Sequence, residues 1–171
     1  MPRAALASIL LLAALPAAAA ISSPSVPPSL QAGSAEVPAF ALRGEGFHVY
    51  ECRPGFDGRL AWVFVNPDAV LSDGTTTVAT HTQPNVWQAS DDRSVVSGVT
   101  RSVAAAGPAN LPWTLLAAQS DDSGGRFSGV TSVQRVNTVG GVAPTGDCTA
   151  GEESRIPFRA DFYFYKRRGA A

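Results

Sequence analysis

The chain has 171 residues, 45% of them hydrophobic and 16% charged, with 13 Lys+Arg against 14 Asp+Glu for a formal net charge of −1. A balance this close to neutral offers no electrostatic basis for binding nucleic acid or an anionic membrane, and no nucleic-acid partner is expected. Lys166 is the single lysine and lies near the end of the chain, so no lysine base or Schiff-base lysine is available inside the domain.

Taken in order, the chain opens with Met1-Pro2-Arg3, an apolar run from Ala4 to Leu15, Pro16, and then Ala17 to Ala20. A short basic start, a brief apolar stretch and small residues describe a secretory signal peptide over residues 1–20. The run is too short to span a bilayer and is broken by Pro16, and no later stretch is apolar for long enough. A secreted or periplasmic product with no transmembrane segment after signal removal is therefore expected. Without Arg3 its basic count falls to 12 against 14 acidic side chains. Residues 21–36, rich in Pro, Ser and Ala, read as an extended leader. Residues 37–168 form one domain, large enough to bury about two-thirds of its unfolded surface.

Within the domain, Arg43 to Gly46 is expected as a turn and Phe47 to Cys52 as a strand, with Phe47, Val49 and Glu51 on one face and His48, Tyr50 and Cys52 on the other. Pro54 to Gly58 is a loop. Leu60 to Val65 is an unbroken apolar run, expected as a strand covered on both faces. Asn66-Pro67-Asp68 leads into Ala69-Val70-Leu71, and Asp73-Gly74 is a strong hairpin signal. Thr75 to Thr82 is β-prone. Pro84-Asn85 bends the chain, Asp91-Asp92-Arg93 turns it, and Ser94 to Arg101 resumes a strand. Ala104 to Pro108 could hold a short helix. Trp113 to Gln119 and Arg126 to Asn137 are strands around a tip at Asp121 to Gly125, and Gly140-Gly141 breaks the second of them. The clearest alternation is the last. Ile156, Phe158, Ala160, Phe162 and Phe164 share one face, and Pro157, Arg159, Asp161, Tyr163 and Tyr165 the other. Seven to nine strands without a periodic helix predict an all-β fold, a single-domain antiparallel β-sandwich or barrel-like sheet with short helices at most.

Two cysteines remain, Cys52 and Cys148. In an exported chain the default for such a pair is a disulfide; two buried thiols or a redox pair are the other readings, and no C-x-x-C spacing supports redox work.

Several stretches together resemble a known family. GFHVYEC (Gly46–Cys52), NPDAVL (Asn66–Leu71), HTQPNVW (His81–Trp87), SVVSGV (Ser94–Val99), LPWTLL (Leu111–Leu116), VTSVQRVNTVGGVAPTGDC (Val130–Cys148) and IPFRADFYFY (Ile156–Tyr165) are similar, in order, to the DUF3455 family. The resemblance implies an exported protein and supplies no biochemical activity. Gly44-x-Gly46 does not make a dinucleotide site, because Val49 stands where a third glycine is needed and no βαβ pattern surrounds it.

Chemistry has few carriers. His81, on a polar bend, could act as a general base oriented by Asp91 or Asp92, and Trp87 could stack on a sugar ring; equally, His81 could bond a turn and Trp87 plug the end of the sheet. His81 and Asp92 are thus the catalytic candidates. Trp87, Gln134 and Arg135 are the ligand-binding ones, with Asn137 and Thr138 nearby, and Arg135 could instead brace the loop to Cys148. With two histidines, His48 and His81, a histidine-only zinc site is excluded and no metal is expected. Asp91, Asp92, Asp121 and Asp122 are turn carboxylates of the kind calcium uses, without the Asp-x-Asp-x-Asp-Gly loop. Ser97 and Ser128 sit beside glycines but outside a nucleophile-elbow frame. Glu51 and Asp161 are expected on solvent faces or paired with an arginine such as Arg159. Tyr163 and Tyr165 could form an aromatic strip or pack on a neighbouring strand. No cofactor is expected. The sequence supports first a non-catalytic binding or surface protein whose partner is a glycan or protein surface, and second a hydrolase using His81 with an aspartate.

Overall fold

The glycines and short polar turns that separate the apolar runs do what hairpin chemistry requires: Gly74 has φ +58° and Asn85 φ +55° at the tips they were expected to form. The computed structural model describes residues 21–121 and 124–169. The expected signal peptide and Asp122 lie outside the described residues. Eight strands follow in order: β1 Glu36–Pro54, β2 Leu60–Asp73, β3 Thr76–Gln83, β4 Val86–Ala89, β5 Val95–Ala104, β6 Trp113–Ser120, β7 Val130–Gly140 and β8 Glu153–Arg167. Each pairs antiparallel with its neighbours in the chain, and β1 against β8 closes the ring, from Glu36 opposite Arg167 to Glu51 opposite Glu153. The sandwich-or-barrel expectation is met as a closed barrel whose opposite walls face each other across one core.

Alternation decides which side of the wall is inside. Phe158, Ala160, Phe162 and Phe164 are all buried, while Arg155 and Arg159 between and before them are exposed. On β8, therefore, the arginines face outward and the aromatic rings inward, the reverse of a lipid-facing strand. Along the interior runs a column of rings. Phe40, Phe127 and Phe164 meet at centroid distances of 4.8–5.9 Å, Trp87 crosses Phe162 and Phe164 at 5.7 and 5.9 Å, and His48 packs on Phe158 and Phe64 at 4.6 and 4.7 Å. The interior is a packed core.

The Cys52–Cys148 disulfide is formed, with 5.8 Å between the Cα atoms. It marks one end of the barrel, called here the disulfide end, where β1 runs into Pro54 and the segment after β7 folds back. That return is also hydrogen-bonded, Cys52 N to Glu152 O at 2.8 Å and Gly151 N to Cys52 O at 2.9 Å. Around the outer wall at β5 to β8 lies the segment that precedes β1. Its single 3-10 turn, Pro28–Leu30, carries a fully buried Leu30, whose carbonyl accepts a hydrogen bond from Gln134 Nε2.

Four local expectations are corrected. Arg43 to Gly46 is not a turn but the middle of β1, paired on one side with β2 and on the other with β8. Leu60 to Val65 is not covered on both faces: Leu60 is 45% and Val65 37% exposed, because the ladder of β2 with β3 begins only at Ala69–His81 and leaves this stretch with β1 alone. The run also continues unbroken through Pro67 into Asp73 as one strand. No helix forms at Ala104 to Pro108, where Gly107 takes φ +94° and the chain turns. The strand expected from Arg126 begins at Val130, since Gly125 and Gly129 both have positive φ.

The Gly44-x-Gly46 pair is explained by curvature. A Cβ on Gly46 would stand 2.2 Å from the Asp68 carbonyl oxygen and 2.5 Å from Ala69 Cα, both backbone, and one on Gly44 would stand 2.5 Å from the Phe162 ring. The strands cannot move apart there without opening the barrel. Gly46→Ala is therefore expected to destabilise by about 3 kcal/mol, the upper range for overpacking. A urea midpoint unchanged by that substitution would contradict the register.

Candidate functional site

Strand parity sends neighbours in the sequence to opposite sides of the wall, and this separates the residues singled out above. On β7, Val133 and Arg135 point inward and Gln134 outward. Gln134 is a brace between elements: its Nε2 donates to the Leu30 carbonyl and its Oε1 accepts from the Tyr165 hydroxyl. That pair explains why Tyr165 is 2% exposed rather than part of a surface strip. Next to it, Ser132 and Thr131 donate to Glu36. Grooves of about 390 and 750 Å³ flank this leader contact on the outer wall.

His81 and Trp87 come together inside the barrel, stacked at 4.9 Å and 12°. Both are buried, and His81 Nδ1 lies 2.7 Å from the Val86 carbonyl, so in the neutral ring Nδ1 carries the proton and donates. Burial pushes His81 down to about 4, against the Val86 hydrogen bond, with the Arg135 charge adding to the drop. His48 is driven by burial to about 3, again with Arg135 contributing. Both rings are therefore neutral near neutral pH, and their burial makes the protonated form that base catalysis must generate costly.

Asp92 is elsewhere. It follows β4 at the end of the barrel away from the disulfide, where Oδ1 accepts from Ser94 N at 2.9 Å and Oδ2 from Arg126 N at 2.7 Å. Hydrogen bonds from the Ser94 hydroxyl and from the Ser94 and Arg126 amides hold its carboxyl below the usual range. Asp91, beside it, pairs with Arg126 of the loop between β6 and β7 at 3.7 Å. Asp92 is a loop brace, and His81 has no carboxylate beside it among the described residues. No group of three or more His, Cys, Asp or Glu is placed to hold a metal ion among the described residues.

Arg135 occupies the disulfide end of the interior, level with Thr114 of β6 and, beyond it, Val103 of β5. One ω-nitrogen donates to the Pro112 carbonyl at 3.0 Å, and Nε is buried without an acceptor. Burial lowers the guanidinium to about 10, partly offset by Tyr50, so it stays charged at neutral pH. None of the ion pairs among the described residues involves it. Its surroundings are Tyr50, whose hydroxyl donates to the Gly141 carbonyl at 2.6 Å, and the two neutral histidines. His48 Nδ1 and Trp87 Nε1 also lack partners. A half-buried cation without a carboxylate, its own Nε and two neighbouring ring nitrogens unpaired, departs from the rule that buried polar groups are satisfied.

The residues matched by the family described as a protein of unknown function, DUF3455, are 33–83 and 75–166. The chain belongs to the DUF3455 family. No curated protein and no solved structure matches it. The DUF3455 match reaches all eight strands and takes in the whole disulfide-end cluster, so the Arg135 environment lies within the family's common domain. Sequence reasoning found His81, Trp87 and Arg135 but missed Tyr50 and His48 as their companions. The signal was present in their shared strand face, His48 and Tyr50 alternating with Cys52.

Proposed function

We propose that this DUF3455 protein is exported and acts by binding, with Arg135 at the disulfide-end mouth of the barrel as the anchor for an anionic group. The observation that carries the reading is the half-buried guanidinium with its Nε buried and no carboxylate paired to it. Holding such a charge costs stability unless something negative offsets it, so its presence without a protein carboxylate is what a ligand-anchoring arginine looks like. The formed disulfide is what an oxidising compartment permits, and no described helix is long and apolar enough to cross a membrane. The hydrolase alternative has less support. It needs a base titrating near neutral pH with an aspartate to orient it, whereas His81 is held by a backbone carbonyl and Asp92 by a distant loop.

Thermal unfolding of the purified protein with acetate, glutarate, phosphate or sulfate at roughly 10 mM, beside chloride at equal ionic strength, tests this. At least one oxyanion is expected to raise the midpoint of the wild type and to lose that effect in Arg135→Gln, whose fold is checked by circular dichroism. An equal response in both proteins would defeat the reading. So would a hydrolytic activity abolished by His81→Ala.

A further inference from the structure

The barrel closes, but its wall is not of even height. β3 and β4 are short, and their hairpin turns back at Pro84-Asn85. Their neighbours continue past it. β2 pairs with β3 only from Ala69 to Asp73, so Leu60 to Asp68 are bonded to β1 alone. β5 pairs with β4 only from Val95 to Ser97, with Ser97 opposite Val86, and Gly98 N reaches the Asn85 carbonyl at 2.8 Å. From Val99 to Ala104, β5 is bonded to β6 alone. Two strand edges thus face each other across a slot at the disulfide end, with the Gln83–Val86 turn as its floor. The missing strands leave room for about two, at about 4.8 Å each.

Edges of this kind are usually blunted. β2 is: Pro67 has no N–H to donate, and Asp68 is tied to Arg155 of β8. β5 carries Val99 at 74% exposed and Val103 at 56%, with a bulge between Thr100 and Ser102 whose Arg101 lines the outer-wall groove beside Glu36. Across both slot walls and the floor the charged residues are Asp68, already paired, and Arg101. The interior behind the slot holds Arg135. Its guanidinium leans over β6 to the Pro112 carbonyl, toward β5, and the inward row runs Val103, Thr114, Arg135. A strand added beside β5 would extend that row by one, and an inward glutamate or aspartate on it would point at the unpaired cation.

We propose that the slot takes an extended peptide as an added strand on the free edge of β5, with an acidic side chain turned inward to Arg135. This rests on reading Arg135 as an anion anchor and names the ligand as a peptide segment. Main-chain hydrogen bonds along Val99–Ala104 supply the sequence-independent part of the affinity, and the inward carboxylate supplies the selectivity.

The probe is a nine-residue peptide alternating threonine and valine with one central glutamate, titrated into the full mature protein and followed by amide NMR and hydrogen exchange. Amides of Val99 to Ala104 are expected to shift and to exchange at least about tenfold more slowly in the complex. A central glutamine is expected to weaken binding roughly tenfold, and N-methylation of alternate peptide amides to abolish it. Arg135→Gln should erase the glutamate preference while leaving residual, N-methyl-sensitive binding. Perturbation elsewhere on the barrel, binding indifferent to N-methylation, or no perturbation at millimolar peptide would each overturn the proposal. If oxyanions still stabilise the wild type through Arg135 in that event, only the strand-addition step falls. If they do not, the anchor reading falls too.

Discussion

Lowering the pH from 7 to 4 is expected to remove about 6 kcal/mol of stability, about 3 from each histidine, enough to unfold a domain of ordinary stability. His48 and His81 are depressed from 6.5 to about 3 and about 4, first by burial and then by neighbouring charge, Arg135 acting on both. In the unfolded chain both rings take up protons near pH 6.5, whereas the folded protein resists doing so until about pH 4 and about pH 3. Stability is therefore complete above pH 6.5, falls as the pH drops toward 4, and levels off below 3, where both states are protonated. Each pKa unit corresponds to about 1.4 kcal/mol. The depressed carboxyl of Asp92 adds a loss of the same sign, but only below its ordinary value near 3.8. His48→Phe isolates one ring. Phenylalanine fits a site already lined by Phe64 and Phe158 and removes the unpaired Nδ1, so the variant should match or exceed the wild type at neutral pH and lose about half the slope between pH 6.5 and about 4. Denaturant midpoints across pH measure this, with imidazole proton shifts as the direct check. Two rings titrating near 6.5 in the folded protein would contradict the packing at the disulfide end.

Loss of the Cys52–Cys148 bridge is the other large effect. The bridge spans 96 residues of sequence, for which the chain-entropy contribution is about 4–5 kcal/mol. Cys52→Ala/Cys148→Ala is accordingly expected to lower the thermal midpoint by roughly 10 °C or more for a domain of this size. The backbone bonds between Cys52 and Gly151–Glu152, and the Tyr50–Gly141 hydrogen bond, remain to hold the returning segment. The variant is therefore expected to stay folded at about 20 °C and to expose the disulfide end to proteolysis first. Scanning calorimetry of wild type and double mutant, followed by limited proteolysis mapped by mass, reads both effects. Midpoints within about 2 °C of each other would show that the bridge merely decorates an already closed wall.

Much of the architecture was legible because β-structure writes its period into the sequence. The face of Phe158, Ala160, Phe162 and Phe164 could be assigned from alternation alone, and so could the hairpins at Asp73-Gly74 and Pro84-Asn85, because those turn types demand φ > 0. The uncovered state of Leu60 to Val65 could not. An apolar run reports only that a strand is favourable, and its exposure depends on how far β3 extends, which is a property of another segment. The candidate site was legible in the same partial way. His81, Trp87 and Arg135 stood out by residue type, yet pairing His81 with Asp92 from their nearness in sequence put together two groups that β4 carries to different ends of the barrel.

By itself, then, the sequence determined the class of fold, the inward and outward faces of its best strands, the turn positions and the partners in the disulfide. These follow from local rules of period, turn geometry and cysteine chemistry. Only the tertiary structure decided that the sheet closes, that Gln134 and Arg135 work on opposite sides of one wall, that both histidines are too buried to take up a second proton near neutral pH, and that β2 and β5 outrun the hairpin between them. Each of those depends on register between segments distant in sequence, and a shift of one residue would exchange every inward side chain for an outward one.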